Sequence, residues 1–274
     1  MNSRSYTIVL AALAVLGIYL FATAPEKLPE PGRAKGAGAV PIEAAFKIIA
    51  HQQATARAVY TADIVGSGQK VGLKFGEQWK REGVEEGPLP ALLLRETAGN
   101  IKKTSVPIGL FLGSDFPISP SNKFVGVQAT HFEQVKKTQQ PVFFQSADTG
   151  AYTAMFPDFS RPQPCVTCHN THPDSPKTDW TTQDVMGATT WTYPMGTVSP
   201  AELANMVITV RGALKDAYSA YLKKAAGLSK PPQIGTSWPR DGYFLPSVET
   251  FMAEVDRRGG GEALGSVLEA MQSK

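Results

Sequence analysis

Apolar residues recur along the chain at different spacings, and each spacing predicts a different element. Residues 7–24 (TIVLAALAVLGIYLFATA) carry no charge. As a helix this segment would span about 27 Å, close to the hydrocarbon thickness of a bilayer. A buried core helix would normally keep a polar face, so export is the better reading. Ala22-Thr23-Ala24 has the small-x-small form of a cleavage site, but Pro25 follows it and would hinder a protease that reads extended backbone. We therefore expect an uncleaved signal-anchor over residues 1–24, with cleavage after Ala24 as the alternative. Arg4 ahead of it would put everything after Pro25 on the far side of the cytoplasmic membrane, in the periplasm. Residues 25–40 mix Pro, Gly and charge with little that is apolar and read as a linker.

Helical spacing returns at residues 41–65, where Ile42, Phe46, Ile49, Ala56 and Tyr60 line one side and Pro41 fits the first turn. The stretch holding Trp79 and residues 89–101 is helical in places. Then the period changes. Residues 106–112 (VPIGLFL), 141–145 (PVFFQ), 152–156 (YTAMF) and 185–193 (VMGATTWTY) are short runs rich in aromatic and β-branched side chains. Asp148-Thr149-Gly150 predicts a hairpin between the second and third of these. Residues 124–137, with Val125, Phe132 and Val135, read as a helix between the first two strands. Ser199-Pro200-Ala201-Glu202 is a capping-box start for a helix to about Ala226. Two shorter helices, at about 248–258 and 262–271, are expected to be separated by Gly259-Gly260-Gly261.

Strands interleaved with helices, without a regular βαβ rhythm, predict an α+β fold on an antiparallel sheet flanked by helices. The organisation expected is an anchor at 1–24, a linker at 25–40, a domain at 41–198 and a C-terminal helical extension at 199–274. Apolar residues at 42% and charged residues at 19% of 274 exclude a wholly disordered or polytopic membrane chain. A net charge of +3 without a basic cluster gives no support for nucleic-acid binding. No Gly-rich phosphate loop, nucleophile elbow or HExxH sequence is present, so the chain is not expected to be an enzyme.

The two cysteines change the picture. Cys165-Val166-Thr167-Cys168-His169 is C-x-x-C-H, the attachment signature of c-type haem. Two thiols three positions apart can reach the two vinyl groups on one edge of a porphyrin, and the adjacent imidazole can give the iron its proximal nitrogen. Two other chemistries stay open. A redox dithiol would sit at a helix N-terminus in a βαβ setting, whereas Pro162 and Pro164 place this motif after a loop. Zinc would need a fourth ligand, and Cys165, Cys168, His169 and His172 would form that set. Export favours haem, because an unligated thiol pair outside the cytoplasm tends to oxidise.

For the second axial position four histidines and a few methionines are available. His172 would have to cross a rigid macrocycle within three residues. His131 lies on a polar helix face, and Met155 sits in a strand between Ala154 and Phe156. His51 is preferred, because Ala44, Ala54 and Ala58 share its side of the first helix and leave room for a flat ring. Expected metal ligands are thus His169 and His51, with Cys165, Cys168 and His169 holding the cofactor.

Residues 165–186, CVTCHNTHPDSPKTDWTTQDVM, continuing into GATTW, resemble a family of bacterial c-type haem proteins long catalogued as a domain of unknown function. The words HPDSPKTDW after the C-x-x-C-H are far more specific than the motif alone. Residues 107–111 (PIGLF) and 117–122 (PISPSN) resemble the family's strand and the turn after it. The resemblance covers about 44–194 and implies a PAS-like domain holding one covalently attached haem c between its sheet and its N-terminal helix. Members can place a Cys on that helix as second axial ligand, and this chain has no third Cys. It further implies a redox or diatomic-gas sensor domain signalling through a partner protein. A tethered one-electron carrier with a redox partner is the alternative.

Overall fold

A computed structural model describes residues 38–160, 163–240 and 242–272. The expected anchor and most of the linker lie outside the described residues. Among the described residues no helix is long and apolar enough to cross a membrane.

The fold is α+β. Helix α1 (Ile42–Val59) begins where Pro41 supplies a fixed φ and no unsatisfied N–H. It passes directly into a π-helical turn, Tyr60–Gly66. The widened turn keeps Tyr60 buried while its hydroxyl donates to the Pro88 carbonyl at 2.7 Å. Helix α2 (Pro90–Ile101) follows, then strand β1 (Gly109–Gly113), helix α3 (Gly126–Thr138), and strands β2 (Val142–Gln145) and β3 (Tyr152–Phe159). Helix α4 (Gln163–Thr171) carries the C-x-x-C-H residues before strand β4 (Val185–Tyr193) closes the sheet. Helices α5 (Pro200–Ala225) and α6 (Val248–Gln272) complete the chain.

The sheet has the order β1-β4-β3-β2, antiparallel throughout. Thus β2, β3 and β4 form a meander, and β1 returns beside β4. Alternation along β3 sorts its side chains between two cores. Ala154 and Phe156 pack with Trp191 of β4 in the core that α1, α2, α5 and α6 cover. Met155 and Phe159 point the other way, toward Phe132 and Val135 of α3. Gly187 of β4 and Gly113 of β1 touch closely: a Cβ on Gly187 would lie 2.4 Å from the Gly113 carbonyl oxygen. Only glycine permits that approach.

The segment after Ser199 packs into the same core as the rest. Ser199 and Glu202 form the expected capping box, with Glu202 N–H on the Ser199 hydroxyl at 3.2 Å and Ser199 N–H on the Glu202 carboxylate at 2.7 Å. Tyr218 and Tyr221 of α5 meet Tyr60 and each other edge-on, and Phe251 of α6 stacks on Tyr218, all four buried, with ring centroids 4.4–6.3 Å apart. The three glycines at 259–261 do not interrupt the helix, because α6 runs through them. Gly259 instead lies against α1: a Cβ there would stand 3.5 Å from Thr55 Oγ1 and 3.6 Å from His51 Nε2.

Candidate functional site

Residues 160–184 leave the sheet between its two central strands, and this excursion carries the thiols. A bulge falls between Asp158 and Phe159, where the β3–β4 register shifts. Asp158 keeps its pairing with Gly187 just before that shift and shares the face of Ala154 and Phe156, where its carboxylate takes a two-pronged bond from Arg57 on α1, one prong at 2.9 Å between Nη1 and Oδ2. Both side chains are about 23% exposed. Burial alone would lower the Arg57 pKa, but the Asp158 charge and hydrogen bonds outweigh it and hold the guanidinium above its ordinary value.

Helix α4 begins a few residues further on and holds both thiols and the imidazole. Cys165 is half-buried and Cys168 exposed, and the two are not joined in a disulfide. Burial raises the Cys165 pKa, the Asp158 charge adds to it, and Arg57 opposes. Burial and then Glu77 raise that of Cys168. Burial, with His172 second, lowers that of His169, so its imidazole is held neutral. Its Nδ1 is buried without a hydrogen-bond partner.

These directions bear on the open chemistries. A redox dithiol needs a thiolate favoured below its ordinary pKa, and both thiols here are shifted the opposite way. Among the described residues no three His, Cys, Asp or Glu side chains are grouped so as to hold a metal ion. His172 has partners of its own beside the site: its Nδ1 accepts from Asp174 N–H at 3.1 Å, and its Nε2 lies 3.6 Å from Glu77 Oε2. The two sulfurs stand one helical turn apart on α4, with the imidazole of His169 directly after the second. That set can form two thioethers and donate one ring nitrogen.

The words HPDSPKTDW prove to be a latch. Asn170 donates to the Trp180 carbonyl at 2.9 Å and accepts from the Trp180 N–H at 2.8 Å, so α4 is clipped to the far end of its own loop. Ser160 N–H reaches the Asp184 carbonyl at 3.1 Å, which closes the neck of the excursion. Trp180 is buried, edge-on to Phe116, and Lys177 lies over its ring while pairing with Asp179. Lys177 therefore serves the latch.

The family model described as Tll0287-like matches residues 41–194. The chain belongs to the Tll0287-like family. No curated protein and no solved structure matches it. The Tll0287-like region includes α1, the whole sheet and the excursion, and leaves out α5 and α6, although those helices share its core.

Of the residues singled out in the sequence, Cys165, Cys168 and His169 come together on α4. His51 is placed on the side of α1 that meets α6, with its Nε2 3.5 Å from Thr55 Oγ1. Met155 faces the α3 side of the sheet, and His131 stacks on Phe144, which packs against that same α3-side core, with centroids 3.7 Å apart. Arg57, Asp158 and Glu77 were missed. A signal for Asp158 was present, because it is the one charge in a strand that is otherwise apolar or neutral.

Proposed function

We propose that this protein is a membrane-anchored, periplasmic monohaem c-type cytochrome that acts as a redox or diatomic-gas sensor and signals through a partner protein. The observation that carries the reading is the C-x-x-C-H set itself, with Cys165, Cys168 and His169 held within about one turn of a single helix that the Asn170–Trp180 bonds clip in place. Thioether formation leaves both sulfurs uncharged, which suits sites where burial and nearby carboxylates disfavour thiolates. His169 suits the proximal role because its ring is held neutral and Nδ1 has no competing partner. When bound, a c-type haem supplies a one-electron iron couple and an axial position for a small ligand.

The protein's own residues do the rest. Cys165 and Cys168 fix the cofactor, the Asn170–Trp180 latch holds α4 in place, and the strand order with β1 beside β4 supports a PAS-like reading of residues 41–198. Sensing is favoured by the two-sided use of α1. Its Arg57 meets the end of β3 beside the thiols, and its His51–Thr55 edge meets α6. A change at the site thus has a rigid element through which to reach the C-terminal helix and a partner. A second reading, a tethered one-electron carrier, draws on the exposure of Cys168, which would put one haem edge within reach of a redox partner. Residues 1–24 would tether either device; His51, expected as the second axial ligand, lies instead on the side of α1 that meets α6, so the geometry gives that role no support.

The test is the full-length chain made with cytochrome c maturation machinery. One haem should resist acid-acetone extraction, and attachment should weaken in Cys165→Ala or Cys168→Ala. Extractable haem, or stoichiometric zinc in its place, would refute the reading. Optical spectra of the reduced protein with CO separate the two roles: a shift on CO addition supports sensing, and an unchanged low-spin spectrum supports the carrier.

A further inference from the structure

We propose that a cavity between α3 and the excursion binds a small alkylammonium ion, held by the Asp184 carboxylate against the rings of Trp180 and Phe116. The proposal stands apart from the haem reading. Cys165, Cys168 and His169 are not among the residues that line the cavity, so failure of either reading leaves the other standing.

The cavity has a volume of about 290 Å³ and lies where the residues after β1, the last turn of α3 and the end of the excursion meet. That is the low end of the range for small-molecule sites, so it suits a compact ligand. Its apolar wall is aromatic. Phe132 and Trp180 are buried, and Phe116, 42% exposed, stands edge-on to Trp180 with centroids 6.2 Å apart. The protein already places ammonium groups on two of these rings. Lys177 Nζ lies 4.7 Å from the centre of the Trp180 ring, and Lys136 Nζ lies 5.4 Å from that of Phe132. The negative face of an aromatic ring attracts a cation at such distances.

Charge decides the sign of the ligand. Lys136 is shared by Asp115 and Glu133, and Lys177 pairs with Asp179. Both ammonium groups thus have carboxylates of their own, and neither is left over for an anion. Asp184 differs. It lines the cavity half-buried, and its carboxylate accepts the Thr181 N–H at 2.7 Å, yet among the described residues no cationic side chain pairs with it. Glu133 and Asp179 reach solvent and are screened there, which leaves Asp184 as the deciding charge. A primary ammonium can bond that carboxylate while its alkyl chain covers the rings, as Lys177 does beside it. Lys177 is then a resident competitor, because it occupies the Trp180 ring and repels a second cation.

Ligand-observed NMR titration of the full-length protein in detergent tests this with butylammonium, and with 1-butanol and butyrate as neutral and anionic probes of similar size. At about 0.15 M salt butylammonium should bind at least about tenfold more tightly than either. Asp184→Asn keeps an oxygen for the Thr181 N–H but loses the charge, and should weaken butylammonium about tenfold. Phe116→Ala should weaken it about threefold. Lys177→Gln should strengthen it about threefold, a gain that a damaged fold would not produce. Asp174→Asn lies on the same loop but not in the cavity wall, and should leave the affinity unchanged. Butyrate or 1-butanol bound as tightly as butylammonium, no binding of butylammonium, or an Asp184→Asn affinity equal to the parent's would overturn the proposal. So would equal losses in Asp174→Asn and Asp184→Asn, which would mean a general attraction of cations to the loop.

Discussion

The aromatic core between α1, α5 and α6 and the excursion at 160–184 are held together by different forces. In the core, Tyr60, Tyr218, Tyr221 and Phe251 are buried, and their rings pack on one another. Burial keeps the tyrosine hydroxyls neutral by raising their pKa values, and two of them find backbone carbonyls, at Pro88 and Pro246. Among its described residues the excursion buries little beyond Ser160, Val166 and Trp180. It is held by side-chain hydrogen bonds to backbone at Ser160, Asn170 and Asp184. The difference teaches that stability and chemistry are separated in this protein. A segment tied down by directional bonds can present its thiols without relying on the packing that holds the fold.

Several substitutions would break or sharpen that separation. The largest effect is expected from Trp191→Ala, since Trp191 is fully buried in β4 and its removal should cost about 3–5 kcal/mol. Chemical denaturation would read it, and cofactor attachment should fall only with the folded fraction. Asn170→Ala should cost less, about 1–3 kcal/mol, because it strands the Trp180 N–H and carbonyl on a half-buried loop. Its signature should be local: faster hydrogen exchange at Trp180 and faster alkylation of Cys168 in the apo protein, with the core melting less changed. Equal loss of protection throughout the core would show that the two regions do not act independently.

On the core side, Gly259→Ala should stabilise rather than destabilise. The added methyl would meet Thr55 and His51 at ordinary contact distance, and the unfolded chain would lose freedom, for a gain of roughly 0.4–1 kcal/mol. A lower melting temperature would mean that α1 and α6 pack more closely there than the contact distances indicate. The smallest effect concerns Glu254 on α6. Hydrogen bonds from Arg257 and then Arg258, with their charges, hold its pKa at about 2, opposed by burial. A carboxylate depressed in the folded state stabilises the protein above its ordinary value of 4.5 and loses that contribution as pH falls toward about 2. The difference in melting temperature between the parent and Glu254→Gln should therefore shrink over that window.

Much of the fold was legible in local pattern. Residues 185–193 form the expected strand to the residue, the helix beginning at Pro200 starts where its capping box puts it, and the hairpin at Asp148-Thr149-Gly150 joins β2 to β3. Reading 259–261 as a break failed because glycine disfavours a helix only weakly, by about 1 kcal/mol, and packing against α1 outweighs that. The first helix was expected to run to Val65, but its last turns are π-helical, a change that apolar spacing does not report.

The C-x-x-C-H spacing, the capping box and the alternation along each strand are set by covalent geometry over a few residues, so the amino-acid sequence by itself determined them. Which residues those elements meet was decided only in three dimensions. Arg57 and Asp158 are 101 positions apart and carry no mutual signal in one sequence. His51 and Arg57 share a helix, yet six residues turn them to different sides, one toward α6 and one toward the thiols. Periodicity says that a helix has a buried face. The arrangement of the sheet, α5 and α6 around α1 chose what that face, and each of its edges, would touch.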